Sequence, residues 1–290
     1  FGLKRRDVGY AGRKDRVGVT RQWFSLPDID PERVTAAVLP DAKVLEAVRH
    51  QNKLRTGHLR GNKFEIWVRG LTEAETEAAV ARLETVKQLG FANRYGAQRF
   101  GRDGDNARRA LVILHRGAAP KDRRRARFLL SALQAEVFNR VLDERPLEIG
   151  QLEVGDLAVK HESGGVFCVE DVEADNARAR IFEISPTGPM FGTKVAQPLG
   201  APAQREAKIL TEYGVPNQQD LKAPRGVSLK GARRSLRVLP IEFVHQIDAD
   251  AMKISVMLPS GSYATVLLEE VFGPLREGAD VIPDGEGILA

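Results

Sequence analysis

A single cysteine, Cys168, stands in the 290 residues. One thiol cannot close an intramolecular disulfide, so the chain fits a reducing compartment and is expected in the cytoplasm. One thiol also rules out a multi-cysteine zinc cluster. Within Val166-Phe167-Cys168-Val169 it reads as a small buried hydrophobe. The histidines at 50, 58, 115, 161 and 245 lack the paired spacing of a metal site, so no metal is expected. No run of 18 or more apolar residues is present, which argues against a membrane-spanning helix. The start, Phe1-Gly2-Leu3-Lys4-Arg5-Arg6, has no signal-peptide pattern. It also has no initiator Met, and the chain is expected to lack its natural beginning. Neither a Gly-x-x-x-x-Gly-Lys-Ser/Thr loop nor a Gly-x-Ser-x-Gly elbow occurs. Gly164-Gly165 lacks the helix start that would cradle a phosphate.

What is present suits a soluble globular protein of one large or two ordinary domains, 42% hydrophobic and 29% charged. Net charge is +5 and unevenly spread. Residues 1–69 hold 15 Lys and Arg against 8 Asp and Glu, residues 94–145 hold 13 against 6, and residues 146–200 hold 4 against 9. Two basic segments bracketing an acidic one imply a localised positive surface, a footprint for nucleic acid.

One carboxylate stands out. Asp15 lies in Gly9-Tyr10-Ala11-Gly12-Arg13-Lys14-Asp15-Arg16-Val17-Gly18, flanked by Lys14 and Arg16, and Val17 to Phe24 reads as an extended segment. The glycines let the backbone turn, and nearby positive charge favours an ionised carboxylate, suited to a nucleophile or a base. On residue types alone Asp15 also reads as a turn aspartate on a wet surface.

Along the rest of the chain, Asp30-Pro31 opens a short helix to Val38, and Leu45–Asn52 is helical or extended. Lys63–Arg69 alternates as a strand with Phe64, Ile66 and Val68 on one face. Thr72-Glu73-Ala74-Glu75 is a capping box for a helix to about Leu89, with Ala79, Val80, Leu83, Val86 and Leu89 on one side and Gly90 ending it. The loop Phe91-Ala92-Asn93-Arg94-Tyr95-Gly96-Ala97-Gln98-Arg99-Phe100-Gly101 sets aromatics that can stack on bases among arginines that can bind phosphate. Residues 107–145 read as helical. There Arg123, Arg124 and Arg125 enter a helix whose Leu130, Leu133, Val137 and Val141 repeat at helical spacing, so the arginine face can lie along phosphates. Strands are expected over 157–160, 165–169 and 179–184, a sharp turn at Thr187–Gly192 and a helix near 202–213. Strands at 236–245 and 253–258, joined through Asp248-Ala249-Asp250, lead to a short helix over 266–271.

Five stretches, in order, resemble the TruD family of pseudouridine synthases: Ala11-Gly12-x-Lys14-Asp15-Arg16 with Thr20-x-Gln22-Trp23-Phe24-Ser25; Gly61-Asn62-x-Phe64 with Arg69-Gly70; Asn93-x-x-Gly96-x-Gln98-Arg99-Phe100-Gly101; Thr187-Gly188-Pro189-x-x-Gly192; and Leu258-Pro259-x-Gly261-Ser262-Tyr263-Ala264-Thr265. Arg13 stands where the family usually has Leu. The resemblance implies an α+β fold. A pseudouridine-synthase catalytic domain with an antiparallel or mixed sheet, about 1–88 and 238–290, would be interrupted by a family-specific α+β insertion, 89–237. It implies isomerisation of uridine to pseudouridine, uridine 13 of the tRNA D-arm in bacterial members, with tRNA as partner and no cofactor. No protein partner is evident. Asp15 would be catalytic. Asn62, Phe64, Tyr263, Lys14 and Arg16 would bind the target nucleotide, with Tyr263 stacking on the base. Arg94, Gln98, Arg99, Arg123, Arg124 and Arg125 would contact RNA. Whether Asp15 attacks the ribose, attacks the base or removes a ribose proton is left open by the residues. Family members carry a further segment before the aspartate loop, with a functional Lys and Phe, and Lys14 or Arg16 is expected to replace that cation in part. The rival readings are an RNA-binding module of the same fold without turnover and an RNA chaperone.

Overall fold

The computed structural model describes residues 1–12, 14, 15, 18–101, 104–117 and 121–275, which fall into two compact units, Phe1–Asn62 and Lys63–Leu275. It is an α+β structure built on antiparallel sheets.

The first unit is sparse in regular structure. Two-residue strands β1 (Gly9–Tyr10) and β2 (Phe24–Ser25) pair antiparallel, with Gly9 opposite Ser25 and Tyr10 opposite Phe24. The short helix α1 (Pro31–Thr35) starts where the sequence places it: Asp30 accepts a hydrogen bond from the Glu32 N–H, and Pro31 occupies the first helical position. It ends before Val38, which lies on the surface. Residues 45–50 have no regular secondary structure. Among the unit's described residues only Gly9 is buried.

Strand β3 (Gly61–Arg69) begins with the last two residues of the first unit and runs on into the second. Helix α2 (Glu73–Leu89) has the full capping box: the Thr72 hydroxyl accepts from the Glu75 N–H, and the Glu75 carboxylate accepts from the Thr72 N–H. Gly90 ends it at φ 75°. Ala79, Leu83 and Val86 are buried, whereas Leu89, in the last turn, is exposed. At the far end of the unit, β10 (Ile241–Asp248) and β11 (Ala251–Pro259) form a hairpin, and the sheet order is β10-β11-β3. On β11, Met252, Ile254, Val256 and Leu258 are buried and alternate with partly exposed residues. They pack with α2 and with α7 (Ala264–Phe272) into one core that also holds Phe91 and Val238.

Between these halves the chain departs and returns through adjacent two-residue strands. β4 (Phe91–Ala92) pairs antiparallel with β9 (Arg237–Val238), Phe91 opposite Val238. The intervening residues build two further cores. Helices α3 (Asn106–Arg116), α4 (Arg123–Glu144) and α6 (Gly200–Glu212) enclose one, with Leu130, Leu133, Val137 and Val141 buried as their spacing implies. The other lies beneath an antiparallel sheet of order β6-β5-β7-β8, made from β5 (Leu157–Lys160), β6 (Val166–Cys168), β7 (Ile184–Met190) and β8 (Ala232–Ser235), with helix α5 (Val172–Arg180) against it.

Several expectations change. Residues 179–183 are not a strand, and the strand begins only at Ile184. Asp171 caps α5 by accepting from the Ala174 N–H, and the alternating Ala and Arg of Ala177–Arg180 are good helix formers. Thr187–Met190 is not a turn but half of β7. That strand changes partner midway, pairing β5 through Ile184–Pro186 and β8 through Thr187–Met190. Gly188 is there for space: a Cβ would lie 3.0 Å from Leu236 and Phe138. The strand expected over 236–245 is split at Leu239-Pro240, where proline offers no N–H to a ladder. The helical stretch 107–145 is two helices, and Cys168 is half-buried rather than buried.

Candidate functional site

The aspartate loop springs from the β1–β2 pair, so both its ends are held together. Gly9 is sterically required at this base, since a Cβ would lie 2.3 Å from Ser25 Oγ and 2.4 Å from the Leu54 carbonyl. Gly12, by contrast, faces open space, and Gly18 uses its freedom at φ 122°. Residues 53–57 brace the loop from outside. The Gly57 N–H donates to the Ala11 carbonyl at 2.7 Å, the Leu54 N–H to Ser25 Oγ at 2.9 Å, and Lys53 Nζ to the Arg6 carbonyl at 2.7 Å.

On this support Asp15 is exposed, and no described Lys or Arg lies within ion-pair distance of it. Lys14, expected beside the carboxylate, donates from Nζ to Asn62 Oδ1 at 3.0 Å. Two expected site residues 48 positions apart are thereby joined. Arg16 lies outside the described residues. Asn62 is at the start of β3. Phe64, two residues on, is partly buried against the core of α2, β11 and α7.

A second cluster belongs wholly to the second unit. Tyr263 precedes α7 in extended conformation (φ −115°, ψ 122°) and is half-buried. Its ring meets the edge of Tyr95 at a centroid distance of 5.9 Å. Gly96 leaves it room, because a Cβ there would lie 3.1 Å from Tyr263 Cδ1. Tyr95 is fixed on both sides of its backbone: its N–H donates to Asn139 Oδ1 and its carbonyl accepts from Asn139 Nδ2, each at 2.9 Å. Its ring packs edge-on to Phe138 at 5.8 Å and lies under the Arg234 guanidinium at 4.2 Å. Arg234 also donates to the Asn93 carbonyl and side-chain oxygen and, at 2.9 Å, to the Gly261 carbonyl. Burial pushes the Tyr263 hydroxyl pKa up, against the pull of Arg99 and Arg234.

The residues expected to touch RNA divide into two groups. Arg94 is engaged as a two-pronged pair with Asp143. Arg99 turns onto Phe128, 5.5 Å from its ring, and donates to Ser131 Oγ at 2.7 Å, while its Nε is buried without a partner among the described residues. Gln98 is exposed. Arg123, Arg124 and Arg125 are exposed on the first turn of α4, whose N-terminus Asp122 caps by accepting from the N–H groups of Arg124 and Arg125 at 3.0 Å. Lys121 and Arg127 extend the same basic face. Among the described residues no three His, Cys, Asp or Glu side chains converge as metal ligands. Arg234, Asn93 and Asn139 were not legible as site residues. Arg234 lies in a stretch whose proline and charge read as loop, and nothing in its neighbours marks it.

The sequence profile of the family tRNA pseudouridine synthase D (TruD) matches residues 1–118 and 118–271. A tRNA pseudouridine synthase D from Anaeromyxobacter dehalogenans strain 2CP-1 is 40% identical over 295 residues, covering 98% of this chain and 81% of that one. The Geobacter metallireducens protein of the same name is 36% identical over 333 residues, 93% and 82% covered. The Thermus thermophilus protein is 38% identical over 278 residues, 93% and 74% covered. Among solved structures, the putative tRNA pseudouridine synthase D of Methanosarcina mazei shares the fold with a TM-score of 0.69 at 22% identity, over 93% of this chain and 82% of that one.

Proposed function

The chain belongs to the TruD family of tRNA pseudouridine synthases and is an isomerase acting on RNA; from that premise we propose that Asp15 carries its chemistry, with uridine 13 of the tRNA D-arm as target. The observation that supports Asp15 most directly is the Lys14–Asn62 hydrogen bond. It ties the aspartate loop to a second motif while leaving the carboxylate itself exposed and unpaired among the described residues.

The reaction breaks the bond from uracil N1 to the ribose, turns the base over and joins its C5 to the same ribose carbon; C5 gives up its proton and N1 takes one up. The balance closes without an oxidant, a reductant or a co-reactant. A carboxylate is the one group the chemistry must supply, as nucleophile or as proton acceptor. The target nucleotide has to leave its stack to be reached. Lys14 and Asn62 hold the loop geometry, and the Asn62 amide N–H groups, unpaired among the described residues, can bind a base or ribose edge. Tyr263 supplies the stacking face for the detached uracil, and Phe64 contributes an aromatic edge. The exposed arginines 123–125 give the strand backbone a cationic track. We take residues 89–237 as an insertion whose neck is the β4–β9 pair.

The test is pseudouridine mapping by carbodiimide-dependent reverse-transcription stops on tRNA treated with the protein or with Asp15→Asn. A stop at D-arm position 13 with the first and none with the second is expected. A stop that persists with Asp15→Asn removes Asp15 from the chemistry. A stop elsewhere moves the target.

A further inference from the structure

We propose that Arg234 is a positioning residue for Tyr263: one guanidinium grips both the loop that carries Tyr263 and the ring that Tyr263 leans on. The proposal rests on the reading of Tyr263 as the stacking face for the uracil.

Arg233 and Arg234 are neighbours on β8, and successive side chains on a strand point to opposite faces. Arg233 is buried in a two-pronged pair with Glu206, with Nη2 to Oε1 at 2.7 Å. Arg234 makes no ion pair with any described carboxylate and spends its donors on uncharged oxygens. A half-buried cation without a counter-ion is costly to keep. What it gains is geometry, since a guanidinium holds its donors in a fixed planar fork. Nε and Nη2 bind the Asn93 carbonyl at 3.3 and 3.2 Å, and Nη2 binds the Gly261 carbonyl at 2.9 Å. Asn93 is itself anchored, its N–H donating to the Leu236 carbonyl at 2.8 Å and its side chain to the Ser235 carbonyl at 2.9 Å. Gly261 stands two residues before Tyr263. The flat face of the same guanidinium lies 4.2 Å over Tyr95, whose edge supports the Tyr263 ring at 5.9 Å. Tyr263 therefore has its backbone approach and its ring support fixed by one side chain.

The consequence falls on the chemical step. Once the glycosidic bond is broken, stacking is a principal restraint on the uracil, and recapture at C5 depends on where that face sits. Displacing a positioned group by about 1 Å costs on the order of 100-fold in rate. Arg234→Met keeps the length and apolar bulk of the side chain and removes the fork. Single-turnover rates on saturating tRNA should fall about 100-fold in Arg234→Met, and about 10-fold in Arg234→Lys, which retains one donor group. The dissociation constant for tRNA, read by filter binding, should stay within about threefold.

The decisive comparison is the double-mutant cycle with Tyr263→Ala. If Arg234 acts through Tyr263, then Arg234→Met slows the Tyr263→Ala protein by less than about threefold. An equal loss in both backgrounds means that Arg234 serves general folding, and it overturns the proposal. Full activity of Arg234→Met also overturns it and leaves the stacking role of Tyr263 intact. Full activity of Tyr263→Ala overturns the stacking reading itself, and this proposal with it.

Discussion

At the scale of single residues, the described chain buries one cation, Arg237, where no described carboxylate answers it. Arg237 is buried, with its guanidinium 4.0 Å over the Phe182 ring, and it donates to the Leu89, Ala179 and Ile184 carbonyls and to Ser185 Oγ. Burial pushes its pKa down to about 10, which still leaves it protonated at neutral pH. Phe182 accepts a left-handed backbone, φ 60°, in a position that serves this contact. Replacing Arg237 by Met leaves buried carbonyls without donors and should lower stability by about 2–5 kcal/mol, read from chemical denaturation. His161 shares the same pocket, stacked on Phe182 with Nε2 2.8 Å from Ser185 Oγ. Burial first, and the Arg237 charge second, hold its pKa below the ordinary histidine value. The unfolded chain then binds a proton that the folded one refuses, so His161 costs stability as pH falls below about 6.5 toward its folded pKa, and that cost is absent above. His161→Gln should lose less melting temperature than the unsubstituted protein between pH 7 and pH 5. An identical acid slope in both would remove His161 as the source.

Among the elements, α4 has two duties on opposite sides. Its buried leucines and valines build a core, and its first turn shows arginines to solvent. Exposed arginines that neutralise phosphates release counterions, so each contributes to the salt dependence of RNA affinity. Arg123, Arg124 and Arg125 changed together to Ala should flatten the slope of log K against log salt by about 2–3. An unchanged slope would show that the RNA does not lie along this face. Both duties were legible beforehand, because helical spacing and charge are local properties of the sequence. The capping box at Thr72, the Asp30 start and the alternation of β3 were legible for the same reason. What escaped was decided at a distance. Ala179–Arg180 alternates like a strand, yet it belongs to a helix because Asp171 satisfies its first turn. Thr187–Met190 carries turn residues, yet it pairs with β8, a strand more than 40 residues later. Of the candidate site, Asp15, Asn62 and Tyr263 were marked by their motifs. Arg234 was not, because its partners come from Asn93, Tyr95 and Gly261, remote in sequence and ordinary in type.

For the whole molecule, burial is unevenly shared. Every buried hydrophobic residue among the described ones lies from Val68 onward, within the second unit, while the described residues of 1–62 bury only Gly9. Hydrogen bonds and a two-residue strand pair do not offset the conformational entropy of that many residues. A protein comprising residues 63–275 should therefore unfold cooperatively on heating, followed by circular dichroism, and a peptide of residues 1–62 should show no transition. A cooperative transition in the peptide would reveal order that its burial does not explain. The β4–β9 pair carries a further consequence, for synthesis on the ribosome. The core of α2 needs β11, and from Val86 to Met252 the ribosome must add roughly 170 residues, a wait on the order of 10–30 seconds at about 5–20 residues per second. During that time the apolar face of α2 has only Phe64, Leu71 and Phe91 from its own core, while everything between β4 and β9 has already emerged and can close its own cores. The nascent chain thus closes the cores between β4 and β9 before the core that α2 shares with β11 and α7.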